Sequence, residues 1–251
     1  MFENVRIPAK LDNSPIKKAV IEFKYESSIQ EAAIYGLLLT SVFNNFPRNN
    51  FSQFPVVQIP EELRKNEPSL KYQIAFQSYK ENSNSGKYLF GIGAYTIQFA
   101  VLEQYVSWDD WMSFVNPIMN AIKEQKLVKR TESIHLQYQD VFDKDVIDMT
   151  NTKFLIDSKE IKNQHLLFRT TFKQDDFDIL VNIGNSVNIN GKNIPNKSLI
   201  DIDCLYSYNV EVAFVDEYQK ILDKAHLLNK RYFFGLISDA LLNELGPHYG
   251  N

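Results

Sequence analysis

Two six-residue stretches, one near the start of the chain and one just past its middle, carry the same alternation. The first is Ile21-Glu22-Phe23-Lys24-Tyr25-Glu26 and the second is Ile134-His135-Leu136-Gln137-Tyr138-Gln139. An apolar residue at every second position is the signature of a half-buried strand, whose side chains point alternately to opposite faces. Ile21, Phe23 and Tyr25 are therefore expected to face a core, and Glu22, Lys24 and Glu26 to face away from it. In the second copy Ile134, Leu136 and Tyr138 take the inner role, leaving His135, Gln137 and Gln139 outside.

The segments downstream of the two copies reinforce the match. After the first, Ser28 and Glu31 have the spacing of a capping box, and Ile29, Ala33, Leu37 and Val42 carry a helix that must stop before Pro47. The segment from Arg48 to Pro68 holds three prolines and no sustained period, so it is read as a long loop or extended edge. Strands are expected over Leu70–Tyr79, Tyr88–Ile92 and Tyr95–Leu102. Ser107 then caps an amphipathic helix in which Trp108, Trp111, Met112, Val115, Ile118, Met119 and Ile122 share a face.

After the second copy, Phe142–Ile161 is weaker structure in place of a helix. A hairpin spans Leu166–Ile183, a last strand runs Leu199–Tyr206, and Val215 to Leu228 form a helix. A short helix capped by Ser238 ends at Gly246-Pro247. The expected fold is thus α+β: two similar β-α-β-β-β-α halves in tandem, 1–130 and 131–251, with mostly antiparallel sheets backed by long helices around a shared core. The cleft between such halves is the natural binding place.

Composition limits the function classes. No apolar run approaches the ~20 residues of a membrane span, and no basic-then-apolar leader opens the chain, so a cytoplasmic protein is expected. A lone cysteine, Cys204, fits a reducing compartment. The net charge of −4 lacks the basic footprint of a phosphate-backbone binder. Lys123, Lys126, Lys129 and Arg130 cluster locally, yet cations at a helix C-terminus complement its dipole. Nucleic acid therefore stands behind protein as a partner class.

No Walker or dinucleotide glycine pattern is present, and the four histidines have no metal-ligand spacing, so neither cofactor nor metal is expected. Asp201 and Asp203 point to one side of the last strand. His226 lies one helical turn from Asp223, and His135 lies on the outer side of the second strand copy. These are the weak candidates for acid–base chemistry, each weighed against a solvated sheet face or an ordinary helical pair. For binding, Trp108 and Trp111 are candidate aromatic anchors set against a core reading. Gln137, Gln139, Glu22 and Lys24 are candidate polar contacts.

Several short motifs together resemble a known family. They are Pro15 with Ala19 to Phe23; Ile92-Gly93 with Tyr105, Trp108 and Phe114; Ile134, Leu136 and Tyr138; and Leu222-Asp223 with His226 and Phe234. The chain is similar, from Pro15 to Leu245, to a sporadically distributed bacterial set of proteins of comparable length, defined by a sequence model and of unknown function. In that set a basic residue precedes the second-strand tyrosine, where this chain has Gln137. The resemblance implies no activity, cofactor or catalytic residue. Patchy distribution is typical of toxin–antitoxin and phage-defence accessory genes. The reading is a non-enzymatic binding or regulatory protein, of the antitoxin, immunity or defence-accessory kind, acting on a protein partner or a second copy of itself. A hydrolase or nuclease with a fold-assembled Asp/His site is the alternative, and a nucleic-acid binder the second.

Overall fold

In the computed structural model all residues are described except 1, 3, 44–45, 47–49, 83–85, 161–165, 186–187, 190–191, 194–196, 209–216 and 251. The main elements run in chain order. They begin with β1 (Ile16–Glu26), α1 (Glu31–Val42), β2 (Ser52–Gln53), α2 (Glu61–Asn66) and α3 (Pro68–Lys71). Next come β3 (Phe76–Glu81), β4 (Lys87–Ile92), β5 (Thr96–Leu102), α4 (Trp108–Glu124) and β6 (Arg130–Phe142). The last are β7 (Leu167–Gln174), β8 (Phe177–Asn185), β9 (Ser198–Ser207), α5 (Tyr218–Leu236) and α6 (Asp239–Glu244). The protein is α+β with mostly antiparallel pairing. Among the described residues no helix is long and apolar enough to cross a membrane.

The chain divides into two compact units, described separately. The larger comprises Lys18–Leu136 and Tyr206–Ile221. Its strand order is β1-β5-β4-β3-β2. β1 and β5 pair antiparallel with Ile21 opposite Phe99 and Phe23 opposite Ile97, so the alternation seen in sequence becomes an apolar sheet face. Phe90 and Phe99 meet on that face at 5.2 Å, and Tyr88 stacks on Phe114 of α4 at 4.4 Å. α4 begins as its sequence demands, with Ser107 Oγ accepting from the Asp110 backbone N–H at 3.1 Å. Pro117 interrupts its hydrogen-bond ladder, at a cost of about 3 kcal/mol. Seven buried side chains, from Trp111 to Ile122, each contribute roughly 1.5–3 kcal/mol, so burial decides the outcome.

Three local expectations differ from the structure. The capping box at Ser28 and Glu31 does not form: α1 is capped by Gln30 without a side-chain bond, and Glu31 is buried. The proline-rich segment supplies the expected extended edge only at β2. Beyond it come a 3-10 turn (Pro55–Gln58) and two short helices, each begun directly after or at a proline, where a fixed φ suits a first helical turn. β3 starts only at Phe76, because Leu70 and Lys71 complete α3. Ile74 then lies against Gly91, where any Cβ would meet it at 3.1 Å.

The other unit comprises Met1–Lys17, Gln137–Leu205 and Leu222–Asn251. Its strand order is β6-β9-β8-β7. β7 and β8 form a hairpin in which Gln174 opposes Phe177, turned by Asp175 at φ +53°. Ile179, Val181 and Ile183 of β8 and Ile200, Ile202 and Cys204 of β9 are buried with Leu222, Ala225, Leu228 and Tyr232 of α5. α5 continues to Leu236, eight residues beyond the expected Leu228, because Tyr232, Phe233 and Phe234 are buried. Val215 and His165 lie outside the described residues.

Candidate functional site

Strand alternation assigns two opposite characters to the two faces of the second unit's sheet. On β9, Ile200, Ile202 and Cys204 point to the core, which turns Asp201 and Asp203 the other way. On β6 the core residues are Tyr138, Asp140 and Phe142, so Gln137 and Gln139 share the outer side. On β8 Asn182 is outward, between the buried Val181 and Ile183. The result is a polar network across three strands. Gln137 Nε2 donates to Asp201 Oδ1 at 2.8 Å, and Asn182 Nδ2 donates to Asp201 Oδ2 at 3.1 Å.

Asp201 is only 7% exposed, so its desolvated carboxylate depends on these charge-assisted bonds. Each amide retains a carbonyl oxygen and a second N–H, giving the face a fixed array of donors and acceptors. At its margin β7 presents Leu167, Arg169, Thr171 and Lys173, all exposed. Leu167 is 72% exposed, and Arg169 stands opposite Asn182 in register. Lys173 pairs with Asp178 at 3.3 Å. Asn182 is the member that periodicity alone did not nominate; its signal is an amide placed where a strand pattern calls for an outward residue.

The core side holds different chemistry. Tyr138 Oη and His226 Nδ1 are 2.9 Å apart. Burial, with a smaller contribution from the Lys230 charge, brings the His226 pKa down to about 3, so the ring is neutral. Asn229 Nδ2 donates to the Ile202 carbonyl at 3.1 Å and lies 3.6 Å from Cys204 Sγ. Burial pushes the Cys204 thiol up, and Asp203 adds to the shift. It also pushes the Asp140 carboxyl well above the usual carboxylate range, with the Asp201 charge adding to the effect.

His226 and Asp201 therefore stand on opposite faces of the sheet, and Asp223 is on the exposed side of α5. His135 lies on the outer side of β6 but belongs to the other unit. Among the described residues no three His, Cys, Asp or Glu side chains gather closely enough to hold a metal ion.

The remaining candidates lie in the larger unit. Trp111 is fully buried and meets Tyr105 edge-on at 6.2 Å, whereas Trp108 is half-buried. Glu22 and Lys24 form an ion pair at 3.2 Å, and Lys24 Nζ lies 5.1 Å from the Tyr72 ring centroid. Around them Arg130 bonds Glu26 at 2.7 Å, Lys71 bonds Glu132 at 3.3 Å, and the Tyr72 hydroxyl donates to Glu132. Of the basic cluster, Arg130 is thus committed to carboxylates, while Lys123, Lys126 and Lys129 are exposed.

Compared with protein-family models and with curated proteins, the chain matches none.

Proposed function

We propose that this is a non-enzymatic binding or regulatory protein that recognises a protein partner in the bacterial cytoplasm, of the antitoxin, immunity or phage-defence accessory kind. One observation carries the reading. Two side-chain amides, Gln137 and Asn182, fixed on the outer side of the sheet by the two oxygens of one carboxylate, are a preorganised recognition surface. An acid–base residue needs access to a proton acceptor or donor in the substrate, and this carboxylate is shielded and already paired. The exposed Leu167 beside Arg169 offers the apolar-plus-cationic rim that protein interfaces use. The buried free thiol of Cys204 suits a reducing compartment.

A tandem origin of the chain is part of the proposal. The order β1-β5-β4-β3 in one unit and β6-β9-β8-β7 in the other places the first strand of each half beside its last, and a long helix comes after each set. That shared order supports a duplicated ancestral unit, as does the repeated strand pattern.

The test is affinity capture with the tagged chain in its native cell, followed by titration of the purified partner. Binding should weaken by about tenfold or more in Leu167→Asp and in Gln137→Ala/Asn182→Ala, since each lost interfacial bond is worth roughly 1–3 kcal/mol. Failure to recover any stable protein partner, or equal affinity of both variants and the wild type, refutes the reading.

A further inference from the structure

Away from the sheet face, the larger unit contains a buried polar cluster that no sequence motif announced. Glu31, in the first turn of α1, is 1% exposed, and Arg64 of α2 is 8% exposed. Arg64 Nη2 approaches Glu31 Oε2 at 2.5 Å, and Arg64 Nη1 donates to the Tyr35 hydroxyl at 2.7 Å. The guanidinium carbon is 5.9 Å from the Tyr35 ring centroid, within cation–π range. Tyr25 and Tyr95 complete the surroundings. The Tyr25 ring is almost wholly buried and near both Tyr35 and Tyr95. Burial raises the Glu31 carboxyl above its ordinary range, with the Arg64 charge and a hydrogen bond from Tyr95 opposing the shift.

We propose that Glu31, Tyr25, Tyr35 and Tyr95 form a pocket for a guanidinium group, which Arg64 fills in cis until an arginine side chain of a protein partner displaces α2.

Three features separate a replaceable occupant from a simple staple. First, the fit is incomplete. Arg64 Nε, the Tyr25 hydroxyl and Glu31 Oε1 are buried without a hydrogen-bond partner, whereas Oε2 holds the Arg64 ion pair. A guanidinium entering from another direction can reach acceptors that Arg64 leaves idle. Second, α2 is six residues long and Arg64 is its only buried side chain, while Leu63 is 60% exposed. Lifting the helix therefore uncovers little apolar surface, and its hold on the unit is polar: the Arg64 bonds to Glu31 and Tyr35, and Lys65 on the Tyr95 hydroxyl. Third, the pocket selects a planar fork over a point charge, because one group must meet a carboxylate and a phenol together beside an aromatic face. The neighbouring lysines engage the rim as point charges: Lys65 pairs with Glu61 on its own helix and bonds the Tyr95 hydroxyl, and Lys71 lies 5.6 Å from the Tyr95 ring centroid.

The source of the arginine rests on the protein-partner reading above; the guanidinium pocket does not. The probe is argininamide, with lysinamide as the control, added to the full-length Arg64→Ala variant. At ten times Kd, argininamide should raise Tm by about 3–6 °C. Lysinamide should not, and the rise should vanish in Glu31→Gln/Arg64→Ala. Equal effects of the two amides, or an undiminished rise in the double variant, overturn the pocket. Should Arg64→Ala fail to fold, hydrogen exchange of the wild type decides. Argininamide at about 10 mM should speed exchange of the Arg64 and Glu67 amides by roughly threefold or more, and an unchanged rate overturns the proposal. A responsive pocket in a chain with no protein partner sinks only the source of the arginine, whereas a captured partner with an unresponsive pocket sinks the pocket alone.

Discussion

Acid should loosen this protein through His226. The ring is buried against Tyr138, and its folded-state pKa of about 3 lies far below the ~6.5 of an exposed imidazole. The folded state thus binds fewer protons than the unfolded one between those two values. Stability contributed by the neutral ring is complete above about pH 6.5 and is lost as pH falls toward 3, at up to about 1.4 kcal/mol per pH unit. Between pH 7 and pH 4.5 the loss reaches about 2–3 kcal/mol, which for a chain of this size lowers Tm by about 5–10 °C. His226→Gln keeps a polar group beside the Tyr138 hydroxyl and cannot titrate. Urea melts of both proteins at half-unit pH steps should therefore show the wild type losing that amount relative to the variant. Other titrating groups act alike in both and cancel in the difference. Curves that run parallel from pH 7 to 4.5 would show that His226 protonates as easily in the folded state as outside it.

Asp140 should act with the opposite sign. Its raised pKa means stability that is complete below about pH 4 and lost as pH rises, so Asp140→Asn should gain on the wild type by up to about 1.4 kcal/mol per pH unit above that point, read from urea midpoints. Trp111→Ala should cost about 3–5 kcal/mol because the ring is fully buried, and half-buried Trp108 less than half of that, measured by denaturant unfolding. Asp201→Ala should cost about 1.5–3 kcal/mol by orphaning two amides, while exposed Lys173→Ala stays within about 0.5 kcal/mol, compared in the same assay.

The features legible in the sequence were those written locally. The alternation of Ile21 to Glu26 and of Ile134 to Gln139 became β1 and β6, and the Ser107 and Ser238 caps formed with the expected backbone partners. The Ser28–Glu31 box had the same spacing and failed, because Glu31 has a stronger partner in Arg64, far along the chain. Nothing in Glu61-Glu62-Leu63-Arg64-Lys65-Asn66 distinguishes the buried cation from the solvated one beside it. The same limit hid the end of α5, where β-favouring aromatics at Tyr232 to Phe234 are held helical by burial alone. The outward placement of Gln137 and Asp201 was legible from strand period. Their mutual hydrogen bond was not, since strand order is a long-range property.

The sheet face and the Glu31 pocket, both proposed above as recognition features, differ in what engagement demands, and the difference is kinetic. Asp201 is already fixed by Gln137 and Asn182, so a partner docking on that face meets a finished surface and should associate at an ordinary ~10⁵–10⁷ M⁻¹s⁻¹. The Glu31 pocket is filled, so its apparent affinity is reduced by the fraction of time that α2 is lifted. A ligand of the sheet face should therefore bind in a fast phase sensitive to Leu167 and Gln137, and a ligand of the Glu31 pocket in a second, slower and concentration-independent phase sensitive to Arg64. Weakening the plug by Arg64→Lys raises the lifted fraction, so stopped-flow traces should show the second phase accelerating while the first is unchanged. A single phase that Arg64→Lys slows would mean that α2 is part of the docking surface itself rather than a cover over it.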